Sequence, residues 1–203
     1  MEASPVHFYF DFISPYGWLA SMRIEEIAAR HGRRVEWHAM LLGVAVMKVM
    51  GLKPLLDTPL KGDYVRRDVA RHFRRLGFEP ARAAGDPAMD PLPAARAFHW
   101  VKQRHPELAG AFARAVYDAY WRGGKDLSTA QALVSIALPD GIDASALRAA
   151  IGSDEARQLL RQAVEASLAA GIFGSPTVVV DGESFWGVDR LGDVDEWLGR
   201  GGW

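Results

Sequence analysis

Residues 6–18, Val-His-Phe-Tyr-Phe-Asp-Phe-Ile-Ser-Pro-Tyr-Gly-Trp, constrain this chain more than any other segment. Val6, Phe8, Phe10 and Phe12 alternate, as one face of a buried strand must, and the run breaks at Ser14-Pro15. Ser14 falls at an N-cap position and Pro15 at the first helical position, where its missing N–H is no loss. The segment therefore predicts a strand that delivers a serine hydroxyl to a helix start. Free backbone N–H groups and the positive end of the helix dipole would surround it, which suits an anion. Taken alone, Ser14 is a helix cap.

Residues 171–191 give it a partner. Thr177–Val180 is a β-branched run, Asp181-Gly182 is a hairpin turn, and Glu183–Trp186 reads as the returning strand. Asp189 is expected to cap a last helix running through Leu198. Ser175-Pro176 lies just before the strand, where a cis peptide is expected and would present the Ser175 backbone to a ligand.

Between these segments the pattern is mostly helical. A first helix is expected over 15–30, burying Tyr16, Ala20, Ile24 and Ile27, and a second strand over 34–40. Asp63 should cap a helix with Val65, Val69 and Phe73 on one face, and 80–93 reads as a loop. Helices follow near 94–104 and 107–121, Ser128 caps another, and a long one covers 154–170. The fold class is α/β: a thioredoxin-like domain (1–45 and 171–203) interrupted by an all-α insertion (46–170) whose last helix packs on the sheet.

The two terminal segments together resemble the 2-hydroxychromene-2-carboxylate isomerase family, related to kappa-class glutathione transferases and to DsbA-type thioredoxin proteins. The carriers are Phe-Tyr-Phe-Asp-Phe-x-Ser-Pro at one end and Gly-x-Phe-Gly-x-Pro-Thr…Phe-Trp-Gly-x-Asp-Arg-Leu at the other. The resemblance implies a glutathione-dependent isomerase of an aromatic catabolic intermediate, in which Ser14 faces the glutathione sulfur. Ser175, before Pro176, would pair its backbone with the tripeptide like an added strand. Trp186, Gly187, Val188 and Asp189 would hold the γ-glutamyl end, with Asp189 matching its ammonium group. A Pro-x-Lys-x-x-Tyr-x-x-x-Asp pattern appears as Pro59, Lys61, Tyr64 and Asp68, and it implies that Lys61 and Tyr64 meet a carboxylate or the substrate. Leu52 and Val188 stand where the family usually carries polar side chains. Two alternatives therefore stay open: a kappa-like transferase or peroxidase, and a non-catalytic thioredoxin-fold binding module.

Composition excludes several other classes. With 203 residues and 49% hydrophobic content the chain can bury a core plus an inserted subdomain. No apolar run approaches the roughly 18 residues of a membrane span, and no basic n-region precedes a cleavable stretch, so a cytoplasmic location without membrane contact is expected. A net charge of −1 argues against a nucleic-acid partner. The chain has no cysteine, which excludes a dithiol oxidoreductase, a thiolate metal site and a disulfide scaffold. Any sulfur must therefore arrive with a ligand, and glutathione is the obvious one. Six scattered histidines, without an i,i+4 pair or a nearby acidic partner motif, give no metal site. The arginines of 66–75 read as a solvated, ion-paired face, with a patch that draws in anionic substrate as the alternative, and the tryptophans read mostly as core, with Trp186 the exception. Glutathione and a small aromatic substrate are the expected partners, and a homodimer the expected assembly.

Overall fold

Alternation sets the sheet. In β1 (Val6–Phe10) the side chains of Val6, Phe8 and Phe10 are fully buried while His7 and Tyr9 face the other way, half-buried. The computed structural model, which describes residues 4–203, pairs β1 in parallel with β2 (Val35–Ala39), setting Phe8 opposite Trp37. β3 (Thr177–Val180) lies antiparallel on the other side of β1, and β4 (Glu183–Trp186) closes the order β2-β1-β3-β4. Positive φ at Asp181 (52°) and Gly182 (91°) gives the tight hairpin turn that the Asp-Gly pair signals.

Parallel neighbours need a crossover, and residues 15–30 supply it. They form two helices rather than the single one expected: α1 (Pro15–Ser21) and α2 (Ile24–Arg30). The break has a local cause. The Ser21 hydroxyl donates to the Trp18 carbonyl at 2.6 Å, the Arg23 N–H closes on Ala20 at 3.0 Å, and the Arg23 backbone leaves the helix at φ −125°.

After β2 come a π-helical turn (Gly43–Val49), a 3-10 turn (Leu55–Asp57) and α3 (Lys61–Arg75). α4 (Leu92–Arg104) and α5 (Ala109–Tyr117) follow, the latter continuing into a π-helical turn at Asp118–Arg122. α6 (Ala130–Val134), α7 (Ala144–Ile151) and α8 (Asp154–Ala169) lead to β3, and α9 (Leu191–Arg200) follows β4.

Several caps differ from expectation. Asp63 does not cap α3, which starts after Leu60 at φ 67°; Asp63 sits in the first turn and pairs with Arg66 at 3.2 Å. Thr129 caps α6 instead of Ser128, whose hydroxyl accepts the Asp90 N–H at 3.0 Å and is therefore already engaged. α7 is an additional helix, capped by Asp143 on the Ala146 N–H at 2.6 Å.

One aromatic cluster spans the sheet and the helices. Phe10 meets Phe12, Trp37 and Phe98 edge-on, with centroids 5.2, 5.6 and 5.2 Å away, the arrangement that ring quadrupoles favour. Trp18, Trp37, Trp100 and Trp121 are buried as expected, while Trp186 and Trp203 are exposed. Among the described residues no helix is long and apolar enough to cross a membrane.

Candidate active site

The end of β1, the start of α1 and the loop before β3 meet at Ser14. Its hydroxyl oxygen accepts the Gly17 N–H at 3.0 Å and so caps α1, while its hydrogen goes to the Ser175 carbonyl, also at 3.0 Å. The Ser175-Pro176 peptide is cis, and Pro176 in turn accepts the Gly187 N–H at 3.0 Å through its carbonyl. Ser14 and Ser175 are both buried. The free N–H groups expected around Ser14 are largely engaged: Pro15 has none, Gly17 donates to the Ser14 hydroxyl and Trp18 to the Ser14 carbonyl. With α1 only seven residues long, the hydroxyl rather than the helix dipole is the polar resource here. Neither hydrogen-bond partner of that hydroxyl is a base.

Beneath Ser14 lies Asp11, a residue the sequence reading passed over. Its N–H donates to the Ser175 hydroxyl at 2.9 Å, and its carbonyl accepts the Tyr117 phenol at 2.9 Å. Its carboxylate takes the Leu42 N–H at 2.7 Å and the Ile13 N–H at 3.2 Å. Complete burial pushes this carboxyl up to about 6 against the pull of those two N–H bonds. Burial, then the Asp11 charge, pushes the Tyr117 phenol well above its ordinary value. Gly17 is required at the centre, since a Cβ there would lie 2.6 Å from the Tyr117 hydroxyl and 2.8 Å from that of Ser175.

The remaining expected residues fall into two groups. Trp186, Gly187, Val188 and Asp189 stand beside the Ser175-Pro176 loop. Trp186, 54% exposed, meets Phe173, 43% exposed, edge to face at 5.0 Å, an open aromatic pair. Phe173 is a second residue the sequence reading missed. Val188 is buried and packs in the main core. Asp189 does not cap the last helix. It lies in a 3-10 turn (Val188–Arg190) ahead of α9, because Gly187 at φ 114° turns the chain first. Its carboxylate is exposed, folds back over Gly187 and meets Arg190 at 3.5 Å.

Lys61 and Tyr64 form the second group, exposed on the first turn of α3. One turn on, Asp68 accepts the Tyr16 phenol at 2.7 Å, which ties α3 to α1. Arg66 and Arg71 are ion-paired with Asp63 and Asp68. Leu52 is exposed.

Two of the histidines, scattered in sequence, meet an acidic neighbour in the fold. Pairing β1 with β2 brings His7, Glu36 and His38 together, and their ligand atoms lie within 4.8 Å of one another. The signal was the alternation that puts His7 and Tyr9 on the face opposite Phe8.

A four-stranded sheet of this order, with a cis-proline loop facing a serine at a helix start, defines a thioredoxin-fold protein of the DsbA type. The family model described as DSBA-like thioredoxin domain matches residues 5–199. The 2-hydroxychromene-2-carboxylate isomerase of Pseudomonas sp. (strain C18) is 30% identical over 189 residues, covering 92% of this chain and 86% of that protein. Human glutathione S-transferase kappa 1 is 27% identical over 209 residues, covering 96% and 91%. A solved 2-hydroxychromene-2-carboxylate isomerase superposes with a TM-score of 0.78 at 25% identity, covering 97% of this chain and 95% of that one. The chain belongs to the DsbA-like thioredoxin family and, within it, resembles the 2-hydroxychromene-2-carboxylate isomerase family in both sequence and fold. Its relatives support an isomerase or transferase rather than a dithiol oxidoreductase, which a chain without cysteine cannot be.

Proposed function

We propose that the protein is a glutathione-dependent isomerase acting on a 2-hydroxychromene-2-carboxylate-type aromatic intermediate. The observation that carries this reading is the Ser14–Ser175 hydrogen bond, because it couples the cap hydroxyl to the backbone of the loop before Pro176. The surrounding residues fit the tripeptide. An exposed carboxylate at Asp189 matches an ammonium group, Lys61 offers a cation to a carboxylate, and Ser175 offers backbone to a peptide.

Bound glutathione supplies a thiolate nucleophile that can add to a conjugated double bond and leave again, so that the bond can rotate between. Ser14 holds that thiolate by turning its hydrogen from the Ser175 carbonyl to the sulfur. The freed Ser175 carbonyl then accepts a tripeptide N–H, so neither group is left unpaired. Asp11 and Tyr117 anchor the strand end and the Ser175 hydroxyl throughout this exchange. Phe173 and Trp186 offer apolar edges and faces to an aryl group. The run of exposed Met47, Val49, Met50 and Leu52 is surface that the expected homodimer would bury.

Calorimetric titration with reduced glutathione, followed by a spectrophotometric isomerase assay with and without it, tests the reading. Binding without isomerisation, together with thiol transfer to an electrophile, would favour the kappa-type transferase that the 27% identical human relative suggests. Absence of binding would leave a thioredoxin-fold module without this chemistry.

A further inference from the structure

We propose that His7, Glu36 and His38 form a binding site for one divalent cation of the zinc class, on the face of the β1–β2 pair opposite Phe8 and Trp37. The argument begins with register. His7 is paired with Glu36 and Tyr9 with His38, so the parallel ladder places the three side chains on one face as near neighbours. The His7 Nδ1 lies 3.1 Å from the His38 Nε2 and 3.7 Å from a Glu36 oxygen, and the other Glu36 oxygen lies 3.7 Å from the His38 Nε2. With zinc–ligand bonds of about 2.0–2.1 Å, a tetrahedral ion needs ligand atoms about 3.3–3.4 Å apart. One atom from each group lies within 4.8 Å of the other two, so a small inward shift of the Glu36 carboxylate brings three ligands onto one face of such a tetrahedron and leaves the fourth corner for water or an anion.

The surroundings hold this arrangement. The Tyr9 ring stacks on His38 at 4.5 Å and 16°, fixing its plane. The Lys102 ammonium donates to Glu36 at 3.1 Å and to the Trp37 carbonyl at 2.8 Å, which orients the carboxylate. The ligand side chains are 21–36% exposed, within reach of an ion from solution. Two imidazoles and one carboxylate suit zinc and its neighbours, and suit the all-oxygen preference of magnesium and calcium poorly. Lys102 also lies 3.4 Å from the His38 Nδ1. That nitrogen carries the proton once Nε2 ligates, so Lys102 keeps its two oxygen partners but loses this contact. Its charge therefore weakens the site without blocking it.

Chelator-treated, untagged full-length protein is titrated with zinc chloride, and separately with magnesium chloride, by calorimetry. One zinc per chain with micromolar or tighter affinity is expected, with no magnesium binding. Cobalt should give a visible absorption band of nitrogen and oxygen ligation. His38→Ala and Glu36→Gln should each weaken zinc binding at least tenfold, and Lys102→Met should tighten it. His7→Asn, at a half-exposed position, should weaken it equally and keeps the test valid if the His38 variant fails to fold. Absence of saturable zinc binding, or an affinity unchanged in both His7→Asn and Glu36→Gln, overturns the proposal.

Discussion

The Ser14 hydroxyl and the Ser175 carbonyl, 161 residues apart in sequence, share a 3.0 Å hydrogen bond that Ser14 donates. The same oxygen accepts the Gly17 N–H, so both directions of the hydroxyl are committed in the free protein. In the proposed function a bound thiolate draws the Ser14 hydrogen away from the Ser175 carbonyl, which couples ligand binding to the loop at one atom. Ser14→Ala should lower isomerase turnover strongly and lower stability by about 1 kcal/mol through the lost cap. Steady-state kinetics beside thermal melts check this. Full turnover in the variant would reduce Ser14 to a helix cap.

Asp189→Asn should weaken glutathione binding by roughly tenfold or more, the scale of one lost charge-assisted hydrogen bond. Stability should hardly change, because Asp189 caps no helix and lies exposed. Titration with glutathione and with cysteinylglycine, which lacks the γ-glutamyl ammonium, separates the two contributions: only the first should lose affinity.

Val188→Asn should destabilise the fold by about 1–3 kcal/mol, since the side chain enters the core and would bury an amide without a partner. Restoring a polar residue at 188 is thus no route to tighter glutathione binding. Chemical denaturation and calorimetry on the same sample test both halves of the statement.

Gly17→Ala should be destabilising by about 1–3 kcal/mol, the usual scale of an overpacked site. The added methyl would press the Tyr117 and Ser175 hydroxyls apart and so disturb the Ser175 backbone as well. A raised KM for glutathione, read alongside the melting temperature, is the expected signature.

Asp11 predicts a pH dependence. Its folded pKa of about 6 lies above the ordinary 3.8, so between those values the folded state holds more protons than the unfolded one. The contribution of this group to stability therefore falls as pH rises from about 4 to 6, by about 3 kcal/mol in all. Asp11→Asn should remove that slope. Denaturant melts of both proteins from pH 4 to 7 give it as a difference, free of the other carboxylates. Parallel curves would show that Asp11 titrates normally.

Much of this was legible because it is local. Phe8 and Phe10 announce a strand by alternation, Asp181-Gly182 announces a hairpin, and Ser14-Pro15 announces a capped helix. What stayed hidden depends on contacts between distant segments or on a single competing bond. The break at Arg23 follows from the Ser21 hydroxyl choosing the Trp18 carbonyl, which no periodicity records. Asp189 looked like a cap because nothing local reveals that Gly187 inserts a 3-10 turn ahead of α9. Asp11 showed only as one charge inside an apolar run, with its partners Leu42, Tyr117 and Ser175 far along the chain. The His7–Glu36–His38 group needed the β1–β2 register before it became visible.

The order β2-β1-β3-β4 has a consequence for synthesis. β1 leaves the ribosome early and can pair at once with β2, but its other neighbour, β3, is translated only after the whole helical segment. At about 5–20 residues per second, roughly 10–30 s separate the two events. For that interval the backbone groups of His7 and Tyr9, which face β3, form an unpaired edge, and the Ser14 hydroxyl has no Ser175 carbonyl to meet. The Ser14–Ser175 contact thus forms late in synthesis, and a nascent chain halted before residue 177 carries an open strand edge that can pair with another chain.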